Sequence, residues 1–332
     1  RQMCIRDSFL RSLAHAQQAS HPALEGASWN RLGNAYHLKT NYLLALESYI
    51  HALEVFRQHE IPAEEARTLV NLANSYSDIG QYQRSIEFFL EAMTIHENLG
   101  EREGLAWTSL GLARLFKRLS FHDKAMQYAE TSLEYYRAIE AETGNSTGVT
   151  LCLSEIGSIY HSKGNLDKAK EYVHRVLVIN INNKNIHAQA KNHLLLGEIF
   201  FEEERYTFAR THLSKSLDLK QQVSDSIDLA RLYRYLGEVE IQMGNQAKGF
   251  DYLKQSLEHA QKNKLLADAS QSYLSLSNAY RRLNRFSEAL EAYSHHTAFK
   301  DSLNLSEISR LEMQYEFEKR EKERELILSL IH

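Results

Sequence analysis

Small and bulky apolar residues recur along the chain at a fixed interval. The stretch LGNAYHLKTNYLLALESYIHAL, which begins at Leu32, is followed 40 residues later by LANSYSDIGQYQRSIEFFLEAM, which begins at Leu72. In both stretches a small residue follows the leucine, and an aromatic residue comes three positions after that. Apolar residues spaced three and four apart share one face of an α-helix. The pattern therefore predicts that each of the two stretches begins with a helix that buries one face.

Aligning the chain on this small residue gives seven copies of the pattern. The aligned residues are Gly33, Ala73, Ala113, Gly157, Gly197, Gly237 and Ser277, at intervals of 40, 40, 44, 40, 40 and 40 residues. A second helix in each copy brings another small residue to the crossing, and these are Ala45, Ser85, Ala125, Ala169, Ala209, Gly249 and Ala289. Small residues let two helices approach closely. One helix pair cannot bury its apolar faces alone, so the pairs are predicted to stack on each other.

Short breaks such as DIGQY, SKGNL and QMGNQ separate the two helices of a copy. Glycine in these breaks supplies a left-handed backbone conformation. The single interval of 44 residues coincides with AETGNSTG at 141–148, which predicts a longer surface loop. In the sixth copy Glu240 stands where the others usually have a ring, which predicts altered packing there.

Composition narrows the class of protein. Apolar residues make up 43% of the 332 residues and charged residues 25%, which allows a packed core and excludes wholesale disorder. The net charge of −4 gives no electrostatic attraction to nucleic acid, so no nucleic-acid partner is expected for this region. No apolar run approaches the ~20 residues of a membrane helix. No membrane span within the chain is therefore expected.

The repeated pattern resembles the tetratricopeptide repeat (TPR), in a variant of about 40 residues per unit, over residues 26–300. The resemblance implies an all-α fold, a right-handed α-α superhelical solenoid of helix hairpins, followed by a long C-terminal helix. The seven predicted units span 26–65, 66–105, 106–149, 150–189, 190–229, 230–269 and 270–300.

The two ends carry further predictions. Residues 1–8, RQMCIRDS, resemble translated adaptor sequence and are interpreted as non-native, and 9–25 as the remnant of a preceding hairpin. Residues 301–332 contain no glycine or proline and predict a truncated helical linker or coiled coil. They resemble the linker of bacterial TPR sensor proteins, in which the output is a diguanylate cyclase, a histidine kinase or a DNA-binding domain. This segment is also the predicted route to a homodimer.

The helical period places one side of each first helix on the concave surface of such an array. A peptide or protein segment is the expected partner in this groove. The predicted binding residues are polar, charged or aromatic side chains of the first helices, namely Asn34, His37, Asn74, Asp78, Trp107, Arg114, Lys117, Arg118, His161, Glu198, Arg234, Asn278 and Arg281.

Two features of this set have competing interpretations. Asparagine recurs at one position in three copies (Asn34, Asn74 and Asn278). A carboxamide has donors and acceptors for an extended backbone, and resemblance to peptide-binding TPR proteins implies that role; the alternative is a tolerated polar surface. Trp107 with Arg114 and its basic neighbours suits an acidic segment, or is an ordinary solvated face.

Two asparagines, Asn34 and Asn71, match the carboxylate clamp of TPR proteins that capture chaperone tails. The cationic positions of that clamp hold Asn30, Trp107 and Gly111 here. Because the cations that would neutralise a carboxylate are absent from those positions, chaperone-tail capture is rejected.

The sequence contains no constellation typical of catalysis. No HExxH motif, phosphate-binding glycine loop or nucleophile elbow is present, so no enzyme activity, metal or cofactor is expected. The adjacent His295 and His296 point about 100° apart on a helix and cannot easily share a metal. Several other histidines are expected on second-helix surfaces: His51, His96, His174, His212 and His259. Cys152 is expected to be an inert core thiol.

The sequence therefore predicts a protein–protein or protein–peptide interaction module. The first hypothesis is the sensory or scaffolding TPR region of a larger bacterial signal-transduction protein, which signals through its C-terminal helical linker. The alternative is a self-contained, cytosolic, peptide-responsive regulator similar to quorum-peptide-binding TPR proteins. The compartment is left open: cytoplasmic by default, or periplasmic if a signal peptide and membrane helix belong to the protein.

Overall fold

The computed structural model describes residues 21–223 and 225–303, and every regular element of this part is an α-helix. The predicted all-α helical repeat fold is confirmed. The helices are α1 Pro22–Leu38, α2 Tyr42–Gln58, α3 Pro62–Asp78, α4 Tyr82–Leu99, α5 Arg102–Arg118, α6 His122–Thr143, α7 Thr147–Ser162, α8 Leu166–Asn182, α9 Ile186–Glu202, α10 Tyr206–Val223, α11 Leu229–Gln242, α12 Gln246–Lys262, α13 Leu266–Arg282 and α14 Phe286–Leu303.

The first helix begins earlier than the predicted boundary at residue 26. It starts at Pro22, so residues 22–25 belong to α1 and not to the remnant of a preceding hairpin. Proline suits the first helical position because the missing N–H would have had no intrahelical partner. The predictions for residues 1–8, for the rest of 9–25 and for the linker after Leu303 lie outside the described residues.

The described residues divide into two compact halves, an N-terminal half that ends at Cys152 and a C-terminal half that begins at Leu153. In the N-terminal half α1 contacts α3, and α3 contacts α5; in the C-terminal half α9 contacts α11, and α11 contacts α13. First helices of neighbouring repeats therefore form a continuous surface within each half. We call these surfaces the N-terminal first-helix face (α1, α3 and α5) and the C-terminal first-helix face (α7 from Leu153, α9, α11 and α13).

The paired small residues lie where the two helices of a repeat cross. A Cβ atom added to Gly237 would lie only 2.9 Å from the carbonyl oxygen of Gly249 on the partner helix. Where serine takes one of these positions, its hydroxyl also closes the crossing: Ser85 Oγ donates to the carbonyl oxygen of Ala73 at 2.7 Å, a link between the two helices that small size alone did not predict.

The turn inside each repeat contains one left-handed residue at a constant position. These residues are Thr40, Gly80, Ser120, Gly164, Glu204, Gly244 and Asn284. Only three of the seven are glycine, although the sequence suggested that glycine supplies this conformation. The turn is closed by backbone hydrogen bonds back to the first helix, as at Gln81 N to Tyr76 O (2.8 Å). These bonds satisfy helix-terminal carbonyls and hold even non-glycine residues at positive φ.

The predicted long loop at 141–148 is largely helical, so that prediction is wrong. Helix α6 has 22 residues, ends at Thr143, and leaves only a short break before α7 begins at Thr147. The four additional residues of this repeat are close to one helical turn of about 3.6 residues. Extending the helix by one turn keeps its apolar face in register and leaves the left-handed Gly144 to end it.

The carboxylate of Glu240 is buried, and its neighbours compensate for the missing ring. Lys248 Nζ and Asn245 Nδ2 each donate to it at 2.7 Å. Burial raises the pKa of Glu240, but these two hydrogen bonds and the positive charges of Lys248 and Arg210 together outweigh burial and lower the pKa below its usual value. The packing of the sixth repeat is therefore maintained by a charged pair in place of a stacked ring.

Candidate functional site

All thirteen predicted binding residues lie on first helices, eight in the N-terminal half and five in the C-terminal half. On α1, α3 and α5 are Asn34, His37, Asn74, Asp78, Trp107, Arg114, Lys117 and Arg118. On α7, α9, α11 and α13 are His161, Glu198, Arg234, Asn278 and Arg281. The members of each group are thus spread over the successive helices of one first-helix face.

A chain of charged contacts ties the three helices of the N-terminal first-helix face. His37 Nε2 lies 2.9 Å from Asp78 Oδ2, and Arg118 donates to the other oxygen of Asp78. Asp78 is partly shielded, with 18% of its side chain exposed. These three candidates therefore act as links between neighbouring repeats, and they fix the spacing of the helices that carry them.

The recurring asparagines each use one end of the amide within the protein. Asn34 Oδ1 accepts from the hydroxyl of Tyr49 at 2.7 Å, and Asn74 Nδ2 donates to the carbonyl of Val70 at 2.9 Å. Asn278 Oδ1 accepts from Arg281 at 3.3 Å. Among the described residues, the other end of each amide has no hydrogen-bond partner. Each side chain is thus fixed in orientation by one end of its amide, while the other end makes no hydrogen bond with the described residues.

The aromatic and basic patch is assembled on α5. The Arg114 guanidinium lies over the Trp107 ring, 5.6 Å from its centroid, which is within the range of a cation–π contact. Both side chains are half-buried, and Lys117 lies one turn further along the same helix. The patch therefore presents a flat ring and positive charge side by side.

Sequence reasoning missed how the clamp-like asparagines are used. Asn71 Nδ2 donates to Asn30 Oδ1 at 2.9 Å, and Asn30 Nδ2 donates to Thr68 Oγ1 at 3.2 Å. This relay joins α1 to α3 and uses the Asn71 amide, while Asn34, the other clamp-like asparagine, takes no part in it. It is consistent with the rejection of chaperone-tail capture.

Charge pairs, each with a buried carboxylate and a partly exposed cation, join neighbouring helices of the C-terminal first-helix face. Glu198, with 4% of its side chain exposed, lies 2.9 Å from Arg231 Nε, and the buried Glu155 lies 3.6 Å from Lys191 Nζ. Burial opposes the charge of Arg231, but Glu198, Asp228, Tyr235 and Asp268 together outweigh burial and raise the arginine pKa. Glu155 and Lys191 were not predicted as site residues. Opposite charges about one repeat apart on first helices were the signal that could have found them.

Two further candidates of this half are also paired. His161 Nε2 lies 2.8 Å from Glu202 Oε1, and Arg234 donates to Glu238 Oε1 at 2.9 Å. Glu238 accepts in addition from the Ser275 hydroxyl on α13. The polar side chains of the C-terminal first-helix face are thus mostly bonded to each other, whereas Asn278 and Arg281 are exposed.

The histidines fall into different environments. His96 is fully buried, contrary to the expected surface position, because Gly104 has no Cβ and leaves room for the imidazole, which pairs with Glu101 at 2.9 Å. The Nδ1 atoms of His193 and His212 lie 2.9 Å apart, between α9 and α10. In the part of the chain that the structure describes, no three His, Cys, Asp or Glu side chains are grouped to hold a metal ion.

None of the described helices is both long enough and apolar enough to span a membrane. Cys152 is buried, with its sulfur 3.2 Å from the Ser132 hydroxyl, as expected of a core thiol.

Family comparisons agree with this architecture. A family model described as tetratricopeptide repeat matches residues 64–138, 187–262 and 228–302, more than half of the chain, and a second one of the same description matches 26–59 and 152–179. The chain belongs to the tetratricopeptide repeat family. A comparison of this TPR chain with curated proteins found no match.

Several solved structures are similar in fold to this TPR protein. One is a Rap protein complexed with competence and sporulation factor (TM-score 0.69, 20% identity, 84% of this chain and 76% of that chain covered). Another is the Rap conjugation gene regulator of plasmid pLS20 in complex with the Phr* peptide (0.66, 17%, 86% and 77%). A third is aspartyl phosphate phosphatase F from Bacillus subtilis (TM-score 0.59, 16% identity, 85% of this chain and 73% of that chain covered). At these identities the likeness is one of fold.

Proposed function

We propose that this TPR protein is a binding module for an extended peptide or protein segment, held on the N-terminal first-helix face. The observation that carries the proposal is the adjacency, on α1, α3 and α5, of oriented amides and a cation-bearing aromatic patch. Asn34 and Asn74 each have one amide group without a partner among the described residues. Trp107 and Arg114 add apolar area and positive charge beside them. An extended backbone with an acidic side chain complements this arrangement.

The fold comparisons support a peptide as the ligand class. The pLS20 Rap regulator was solved in complex with the Phr* peptide, and its match spans most of both chains. A peptide in a groove of first helices would be recognised by backbone hydrogen bonds and a few side-chain anchors. Binding without catalysis is part of the proposal.

The proposal is tested by selecting binders from a displayed library of random dodecapeptides on the full chain and measuring their affinity by fluorescence anisotropy. Asn74→Ala combined with Arg114→Ala should weaken binding at least about tenfold, because a backbone hydrogen bond and a charged contact are both lost. The matched control is Asn182→Ala with Arg175→Ala, two exposed residues of the second helix α8. Equal affinity of the test variant and the control variant would refute the assignment of the groove.

We further propose that the bound state is passed to a C-terminal output through residues 301–332. The support is the sequence of this segment, which resembles the linker of bacterial TPR sensor proteins. Analytical ultracentrifugation should then show dimerisation that depends on concentration and disappears when 301–332 are deleted. A strictly monomeric full chain at high concentration would instead favour the self-contained peptide-responsive regulator, which the likeness to peptide-bound Rap structures supports.

A further inference from the structure

The sixth repeat contains a surface pocket beside the C-terminal first-helix face. Its volume is about 280 Å³, close to the lower end of the range for small-ligand pockets, about 300 Å³. It lies between the ends of α11, α12 and α13, entirely within the C-terminal half. The apolar lining is Ile241, Phe250, Ala279 and Leu283, and the polar rim is Gln242, Gln246 and Arg282.

The pocket lies at a position where the other repeats place a large side chain. The first residue of the second helix is Tyr42, Tyr82, His122, Leu166, Tyr206, Gln246 and Phe286 in the seven repeats. Six of these are rings or a large aliphatic side chain, and the exposed Gln246 is the exception. In the preceding repeat Tyr206 packs against Phe201, with ring centroids 5.7 Å apart. The chain itself therefore shows that a ring fits at this position.

The pocket floor is continuous with the core. Ile241, Phe250 and Ala279 belong to the hydrophobic cluster around Leu253. Phe250 is further held by the ring of Tyr280, with centroids 4.8 Å apart. A side chain that enters would displace water from apolar surface without needing the floor to rearrange, which is the arrangement of interface hot spots.

The rim carries a positive charge with only a neutral partner. The Arg282 guanidinium donates to the amide oxygen of Gln242, and no carboxylate of the described residues lies within ion-pair distance of it. Arginine on an exposed rim binds a carboxylate more strongly than it binds an amide. Charge complementarity therefore selects an anionic group next to the ring-shaped space.

We propose that this pocket is an anchor site for a ring-bearing side chain of a peptide segment bound to the C-terminal half, with a carboxylate adjacent to that side chain held by Arg282. The proposal rests on the proposed peptide-binding function and adds the ligand's anchor chemistry to it. It also gives the C-terminal first-helix face a role that its internally paired polar residues do not supply.

The first test uses small probes on the full chain, titrated by ligand-observed NMR: 3-phenylpropionate, its neutral amide, and propionate. The wild type should bind 3-phenylpropionate with a Kd on the order of 1 mM, and propionate without measurable affinity. Gln246→Tyr should weaken binding at least about tenfold, because the chain's own ring then fills the space. Arg282→Gln should reduce the affinity for 3-phenylpropionate about fivefold, to that of the amide. Absence of wild-type binding, or binding unchanged in Gln246→Tyr, would overturn the proposal.

Two further variants control for folding. Gln246→Ala leaves the pocket open and should retain full affinity. Gln246→Leu, which copies Leu166 of the fourth repeat, fills the pocket with a smaller side chain and replaces Gln246→Tyr if the tyrosine variant does not melt cooperatively. The peptides selected above separate the two proposals. If Gln246→Tyr and Gln246→Leu both bind the selected peptides with wild-type affinity, the anchor site alone is refuted. Failure to select any peptide refutes the proposed function.

Discussion

Replacing Glu204 by glycine should stabilise the protein. Glu204 lies in the turn between α9 and α10 with φ at +59°, and its side chain has no hydrogen bond or ion pair with the described residues. A side chain with a Cβ in the left-handed region costs about 1–2 kcal/mol. The greater freedom of glycine in the unfolded chain offsets about 0.4–1 kcal/mol of this. The net expected gain in the free energy of unfolding is therefore about 0.5–1 kcal/mol.

The same turn in the preceding repeat supplies the converse experiment. Gly164 has φ at +75°, and a Cβ added there would meet no atom within 4 Å. Gly164→Ala therefore introduces backbone strain without a clash and should destabilise the protein by about 1 kcal/mol. Glu204→Ala, which removes the charge and keeps the Cβ, should remain close to the wild type.

Urea unfolding followed by circular dichroism at about 222 nm measures these differences as shifts of the transition midpoint. Neighbouring repeats can unfold separately in such arrays, so the shift is compared in the transition that all variants share. Should Glu204→Gly prove no more stable than Glu204→Ala, the reasoning that left-handed strain is stored in these turns would be refuted.

Three further predictions concern stability. Burial, followed by the charges of His212, Lys215 and His174, lowers the pKa of His193 to about 4. Stability should therefore fall as pH drops from about 6.5, the unfolded value, toward 4, and His193→Gln should flatten this dependence of the urea midpoint. Gly237→Ala should cost about 1–3 kcal/mol by overpacking against Gly249, whereas Gly157→Ala, whose nearest contact would be 3.1 Å, should be nearly neutral in the same urea assay. Lys248→Met should cost about 1 kcal/mol by removing a donor from Glu240, and adding Glu240→Gln should recover part of it.

Much of the fold could be predicted because the repeat fixes it at several levels at once. The small residues at the crossings, such as Gly237 and Gly249, determine which helices touch and how closely. The ring three residues later is buried at Tyr76, Phe116 and Phe200 and half-buried at Tyr36, Tyr160 and Tyr280. All seven copies share the same spacing of small and apolar residues. One copy that departs from the pattern therefore does not change the predicted fold, because the neighbouring repeats impose the same geometry on it.

The features that sequence reasoning missed depend on contacts between repeats. The period shows that His37 and Asp78 share a face, but it does not show that their side chains meet at 2.9 Å. Similarly, AETGNSTG has the composition of a loop, yet its first three residues, 141–143, are exposed and continue α6. The binding role of the predicted residues stays a prediction, since it depends on which of their atoms a ligand would contact.

The extra turn of α6 bears on how chains of this architecture change length by mutation. Each inserted residue rotates everything beyond it by about 100° about the helix axis. Four inserted residues leave the following side chains about 40° from their former direction. Two inserted residues would rotate the apolar face by about 200° and expose it to water. Insertions and deletions that are tolerated at the ends of second helices should therefore comprise about three, four or seven residues, which correspond to one or two whole turns. Related proteins should differ in length by the same numbers of residues.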